Sequence, residues 1–68
     1  MFVMKEKEAE RIKRKFKGIS LAKEVGISPT YVSLILSCKK SCPKRTAFCL
    51  TKAIDKDAEI EKFFERIV

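Results

Sequence analysis

The stretch Ala22–Ile35, AKEVGISPTYVSLI, decides how this chain folds. Its two halves carry apolar residues at helical spacing, yet Gly26 and Pro29 interrupt it in the middle. Glycine reaches a left-handed backbone at little steric cost, so Gly26 reads as the residue that closes one helix. Ser28 is a natural N-cap, and Pro29 suits a first helical position because its missing N–H has no intrahelical partner there. The two breakers therefore mark a stop and a start. Two helices that cross steeply through so short a turn need a small residue where their backbones approach, and Ala22 supplies it. Val32 and Ile35 fill the wedge from the second helix, and Leu21 and Val25 tie the first to the remaining core.

Working outward, residues 4–16 read as a first helix. Ala9, Ile12 and Phe16 form one apolar stripe among charges, with Glu6 and Glu10 early and Arg14, Lys15 and Lys17 late, the order the helix dipole favours. Gly18 ends that element, and the pair described above occupies 19–25 and 29–36. Ser37–Pro43, SCKKSCP, reads as a basic loop. A fourth helix is expected over 44–54 with Ala47, Phe48, Thr51 and Ile54 inward, and a fifth over 57–67 with Ile60, Phe63, Phe64 and Ile67 inward. Asp55 and Asp57 are the expected cap and N-terminal negative charge of that last helix. No stretch alternates as a strand would, and no internal repeat is present. The expectation is a compact all-α domain of five short helices.

Length and charge narrow the function. A chain of 68 residues makes one domain with a modest core. Hydrophobic content of 46% suits a packed globule. The net charge of +7 is unevenly placed: residues 1–53 hold 13 Lys/Arg against 4 Glu, and residues 54–68 hold 3 against 5 Asp/Glu. A basic body with a pI of 9.6 points to a polyanionic partner. No apolar run approaches the roughly 20 residues that span a bilayer, and Met1–Met4 is too short for a signal-peptide core, so a cytoplasmic location and no membrane contact are expected.

Catalysis and cofactors find little support. There is no histidine, and Cys38, Cys42 and Cys49 follow a C-x3-C-x6-C spacing that lacks a fourth zinc ligand. Packing as small hydrophobes is the favoured reading of the cysteines, with Cys49 on the core face of the fourth helix. A redox pair of Cys38 and Cys42, or an intermolecular zinc site, is the alternative. Asp55, Asp57, Glu59 and Glu61 alternate like a metal loop but lack the glycine of a calcium site. No metal, no cofactor and no enzymatic role are expected.

The segment LAKEVGISPTYVSLIL, followed by a basic loop and a Pro43-led helix, resembles the helix-turn-helix of the lambda-repressor-like (Cro/repressor, XRE-type) transcriptional regulators; the resemblance covers roughly residues 6–67, a compact five-helix unit with the helix-turn-helix at about 19–36. The tail TAFCLTKAIDKDAEIEKFF is similar to small control proteins of phages and mobile elements in Gram-positive bacteria. The resemblance implies a repressor-type regulator that binds double-stranded DNA with its second motif helix in the major groove. It implies base contacts from Pro29, Thr30, Ser33 and Leu34, with Ser37 just beyond the helix. Many family members carry a long amide where this chain has Pro29, so direct readout is expected to be thin: a hydroxyl and a methyl from Thr30, and contact of Leu34 with a thymine methyl. Phosphate contacts are expected from Lys39, Lys40, Lys44 and Arg45, with Lys17, Lys23 and Tyr31 flanking and Lys13 and Arg14 as further candidates on the first helix; packing of Tyr31 against the fourth helix is the alternative for that residue. Lys44 and Arg45 occupy a first helical turn, where cations oppose the dipole and a docked phosphate removes the conflict. The resemblance also implies a homodimer, for which Phe63, Phe64, Ile67 and Val68 are a candidate patch and Phe2 and Val3 another; the alternative is that Phe63 and Ile67 only close the core. The alternative reading is a protein-interaction module that uses the same fold to bind another regulator.

Overall fold

The computed structural model describes residues 1–67. Five helices and two short strands follow in the order β1 (Phe2–Met4), α1 (Glu6–Lys15), α2 (Gly18–Val25), α3 (Pro29–Leu36), α4 (Lys44–Ile54), α5 (Ile60–Phe63) and β2 (Phe64–Arg66). The architecture is mostly helical, and α2 packs most extensively against α3 and then α4.

The core forms where the helical stripes converge. Ala9 and Ile12 enter from α1, Leu21 and Ala22 from α2, Val32, Ile35 and Leu36 from α3, and Ala47, Leu50 and Thr51 from α4. Burying a Leu, Ile or Phe side chain contributes about 1.5–3 kcal/mol each, so this convergence is the main source of stability. Among the described residues Thr51 is the one buried polar side chain, and its hydroxyl donates to the carbonyl of Ala47 at 2.8 Å. That bond removes the cost of burying an unpaired hydroxyl.

Two expectations are corrected at the chain ends. The domain is not all-α: β1 and β2 pair antiparallel, with Phe2 opposite Arg66, Val3 opposite Glu65 and Met4 opposite Phe64. Helix α1 accordingly starts at Glu6 rather than residue 4. The expected helix over 57–67 contracts to the single turn α5. The reason lies in the Phe63–Phe64 pair. Side chains of neighbouring helical residues diverge by about 100°, so a continuing helix would bury only one of them. The chain instead turns extended at Phe64 (φ −121°, ψ 151°), and both rings are buried, at 5% and 1% exposure. Strand β1 supplies the backbone partners that the abandoned helix would have provided.

The Asp55–Glu59 segment also differs from its expected role as a helix start. Asp55 closes α4, and its carboxylate accepts the backbone N–H of Asp57 at 3.0 Å. That hydrogen bond, reinforced by Lys62 at 3.4 Å, holds the Asp55 carboxyl below its ordinary range. Lys52 finishes the turn by donating to the carbonyls of Lys56 and Ala58.

In α4 the buried face is Ala47, Leu50 and Thr51, so Phe48 and Cys49, both expected inside, are exposed. The i, i+3, i+4, i+7 series from Ala47 runs through Leu50, Thr51 and Ile54, and Phe48 lies about 100° off it. No helix among the described residues is long and apolar enough to cross a membrane.

Candidate nucleic-acid interface

The α2–α3 junction is built as its residues require. Gly26 adopts φ 82°, and its N–H and that of Ile27 both donate to the Ala22 carbonyl, at 2.8 and 3.1 Å. The hydroxyl of Ser28 accepts the Tyr31 N–H at 3.1 Å, and Pro29 occupies the first turn of α3. Val32 and Ile35 are then driven into the core with no exposed surface. The opposite face of the same helix carries Pro29, Thr30, Ser33 and Leu34, all exposed, with Ser37 half-buried at the end. Thr30, Ser33, Leu34 and Ser37 lie three and four residues apart and therefore share one side.

The loop after α3 is pinned from behind. Cys38 takes a positive φ of 61°, its N–H donates to Ile35, and that of Lys39 donates to Leu34. The Cys38 thiol donates to the Met4 carbonyl at 3.1 Å. Cys42 exchanges two 2.8 Å backbone hydrogen bonds with Phe2, so β1 has β2 on one side and this loop on the other. The N-terminal strand thus fixes both ends of the basic segment.

Held this way, Lys39, Lys40, Lys44 and Arg45 are all exposed. The ion pairs among the described residues are Arg11–Glu8 and Lys62–Asp55, and neither involves this cluster. Between Glu24 and Asp55 the chain has no acidic residue at all. The first turn of α4 has no side-chain cap and no acid, only Lys44 and Arg45 over free N–H groups. An anion there would be stabilised by donors and charge together. Lys17, at the start of α2, lines a groove with Lys13, Ser33 and Ser37, so it joins this face. Lys23 is exposed on the last turn of α2, four residues beyond Ile19 on the same side of the helix.

Tyr31 packs partly into the core, in line with the packing alternative for this residue. Its ring is half-buried against the core, and Lys40 Nζ stands 5.3 Å from the ring centroid. Such a cation–π contact orients Lys40 and contributes about 0.5–1 kcal/mol at an exposed site. Glu6 and Glu10 border Ser37 and Cys38 at one edge of this face, and Glu24 adjoins Lys23.

Cys38, Cys42 and Cys49 are all free thiols. Burial pushes the Cys42 thiol up to about 11. Burial, with Glu6 adding to it and Lys13 opposing, also raises Cys38. Burial thus favours the neutral thiol over the thiolate at both positions. The described residues contain no group of three or more His, Cys, Asp or Glu side chains placed to hold a metal. Phe63 and Phe64, expected as a dimer patch, are enclosed in the protomer's own core; Ile67 is exposed, and Val68 lies outside the described residues.

One residue that sequence reasoning passed over is Ile19, 61% exposed at the start of α2 and lining the same groove as Ser33 and Ser37. Its signal was present: it falls off the Leu21–Ala22–Val25 stripe, so the helical phase turns it outward. No protein-family model, curated protein or solved structure matches the chain.

Proposed function

We propose that this protein is a sequence-specific double-stranded DNA-binding regulator of transcription, built on a lambda-repressor-like helix-turn-helix formed by α2 and α3. In this reading α3 lies in the major groove with Thr30, Ser33 and Leu34 toward the base edges. Lys39, Lys40, Lys44 and Arg45 hold the phosphates on one side, and Lys17 and Lys23 hold them on the other. The observation that carries the proposal is the pairing of an exposed α3 face with a segment, residues 25–54, that holds no acidic residue and whose four loop and α4 cations have no carboxylate partner among the described residues. A surface serving solubility alone would mix the two signs.

One such domain covers half of a two-fold site, so two copies on half-sites about 34 Å apart are expected. Because Phe63 and Phe64 are enclosed, that contact uses other residues. A second reading, a protein-interaction module, has Phe48 in its favour, 48% exposed beside Val25, Cys49 and Ala53. Selection of bound duplexes from a random pool tests the proposal. Enrichment of a short, two-fold-related sequence supports it. Failure to retain duplex DNA even at low salt, with a protein co-purifying instead, favours the second reading.

A further inference from the structure

The chain contains no Asn, no Gln and no His. Adenine is read in the major groove by a bidentate amide and guanine by a bidentate Arg or Lys. The first is unavailable anywhere in this protein, and α3, PTYVSLIL, carries no cation for the second. Its exposed side chains offer only the hydroxyls of Thr30 and Ser33 and apolar surface. Leu34 is 36% exposed and Ile19 is 61% exposed, two of the large apolar side chains that the fold leaves outside. Ile19 borders Ser33 and Ser37 across the α2–α3 groove, and Leu34 follows Ser33 in α3, four residues after Thr30 and three before Ser37. These alkyl groups are exposed on either side of Ser33 and Ser37, on the face that the surrounding cations would set against a duplex.

Resting on the DNA-binding reading above, we propose that this face recognises thymine by its 5-methyl group, through Leu34, Ile19 and the methyl of Thr30. Thymine is the only DNA base that presents an alkyl group in the major groove. Apolar side chains gain by covering it, whereas they leave the polar edges of guanine and cytosine desolvated without partners. Cations at Lys39, Lys40, Lys44 and Arg45 supply affinity for any duplex, and the alkyl groups supply the preference among them. The operator is then defined by where its thymines stand, not by amide or guanidinium pairing.

The test uses the full chain and the best duplex from the random-pool selection, with its thymines replaced one at a time by deoxyuridine. That change removes the methyl group and leaves base pairing and charge intact. Each contacted methyl is worth about one buried CH2, or about a fourfold weakening of binding per substitution. Leu34→Ala and Ile19→Ala should each abolish the penalty at one position while leaving the salt dependence unchanged. Circular dichroism verifies that both exposed-site variants stay folded. If the protein binds duplex with steep salt dependence but deoxyuridine costs less than about 1.5-fold everywhere, the methyl proposal is overturned and the DNA-binding reading stands. If no duplex is bound at low salt, both fall.

Discussion

Gly18 and Gly26, the two glycines of the chain, flank α2, and the same substitution at each should move stability in opposite directions. Gly26 has φ 82°, and a Cβ built there meets nothing within 4 Å. Any penalty for Gly26→Ala is therefore backbone strain rather than a clash. A left-handed backbone costs an alanine about 1–2 kcal/mol, while the stiffer unfolded chain returns about 0.4–1 kcal/mol. The net expectation is a loss of about 1 kcal/mol. Gly18 opens α2 without a positive φ, and its Cβ would stand 3.9 Å from Val32 Cγ1, an ordinary contact. Only the chain-entropy term then remains, so Gly18→Ala should stabilise by about 0.4–1 kcal/mol. That term is common to both variants, so their difference isolates the strain at the turn, about 1–2 kcal/mol. For a domain of this size the two melting temperatures should separate by roughly 4–16 °C. Urea unfolding followed by circular dichroism, with equal m-values as the control, gives the free energies directly. Gly26→Asn should lose less than Gly26→Ala, since asparagine tolerates the left-handed region. Equal effects at both sites, or a neutral Gly26→Ala, would refute the assignment of the turn that positions α3.

Three further outcomes follow from the same geometry. Ser28→Ala removes the acceptor for the Tyr31 N–H and should cost about 1 kcal/mol in urea unfolding. Phe64→Ala empties a site 1% exposed and should cost about 3–5 kcal/mol; against the roughly 3–10 kcal/mol expected for this length, thermal melts should show a domain at the edge of unfolding. Cys42 is neutral in the fold, with its pKa raised from the ordinary 9.0 to about 11. Unfolded chains therefore deprotonate first as pH rises, so stability from this group is full below pH 9.0 and is lost progressively toward about 11. Cys42→Ala should flatten the loss of stability seen by urea titration across that window.

What could be read from the sequence, and what could not, divides along local and non-local lines. Helices α3 and α4 lie where their punctuation put them, at 29–36 and 44–54, because Gly26, Ser28, Pro29 and Pro43 act on their immediate neighbours. The outward face of α3 was legible for the same reason: a helix eight residues long with Val32, Ile35 and Leu36 inside leaves Thr30, Ser33 and Leu34 no other place. The β1–β2 pair was not legible. Strands of three residues are too short to display alternation, and their pairing joins opposite ends of the chain. Ile60, Phe63, Phe64 and Ile67 also fit a helical period, so local pattern favoured the wrong element. Burial of both phenylalanines, a tertiary demand, overrode it. Phe48 was misplaced by taking the residue next to Ala47 instead of following the stripe to Leu50. The role of β1 in pinning the basic loop depends on Met4, Phe2, Cys38 and Cys42 meeting in space, and nothing in their spacing announces it.

The charge complementarity at the heart of the account is tested most directly by equilibrium binding to a duplex oligonucleotide between about 50 and 200 mM salt. Neutralising roughly 4–6 phosphates per subunit gives a log–log slope of about −4 to −5, and replacing both Lys44 and Arg45 by alanine should make it shallower by about 2 for every sequence tried. A protein that ignores duplex DNA at the lowest salt, or a double variant that binds with the parental slope, would contradict the placement of phosphates along the loop and the start of α4.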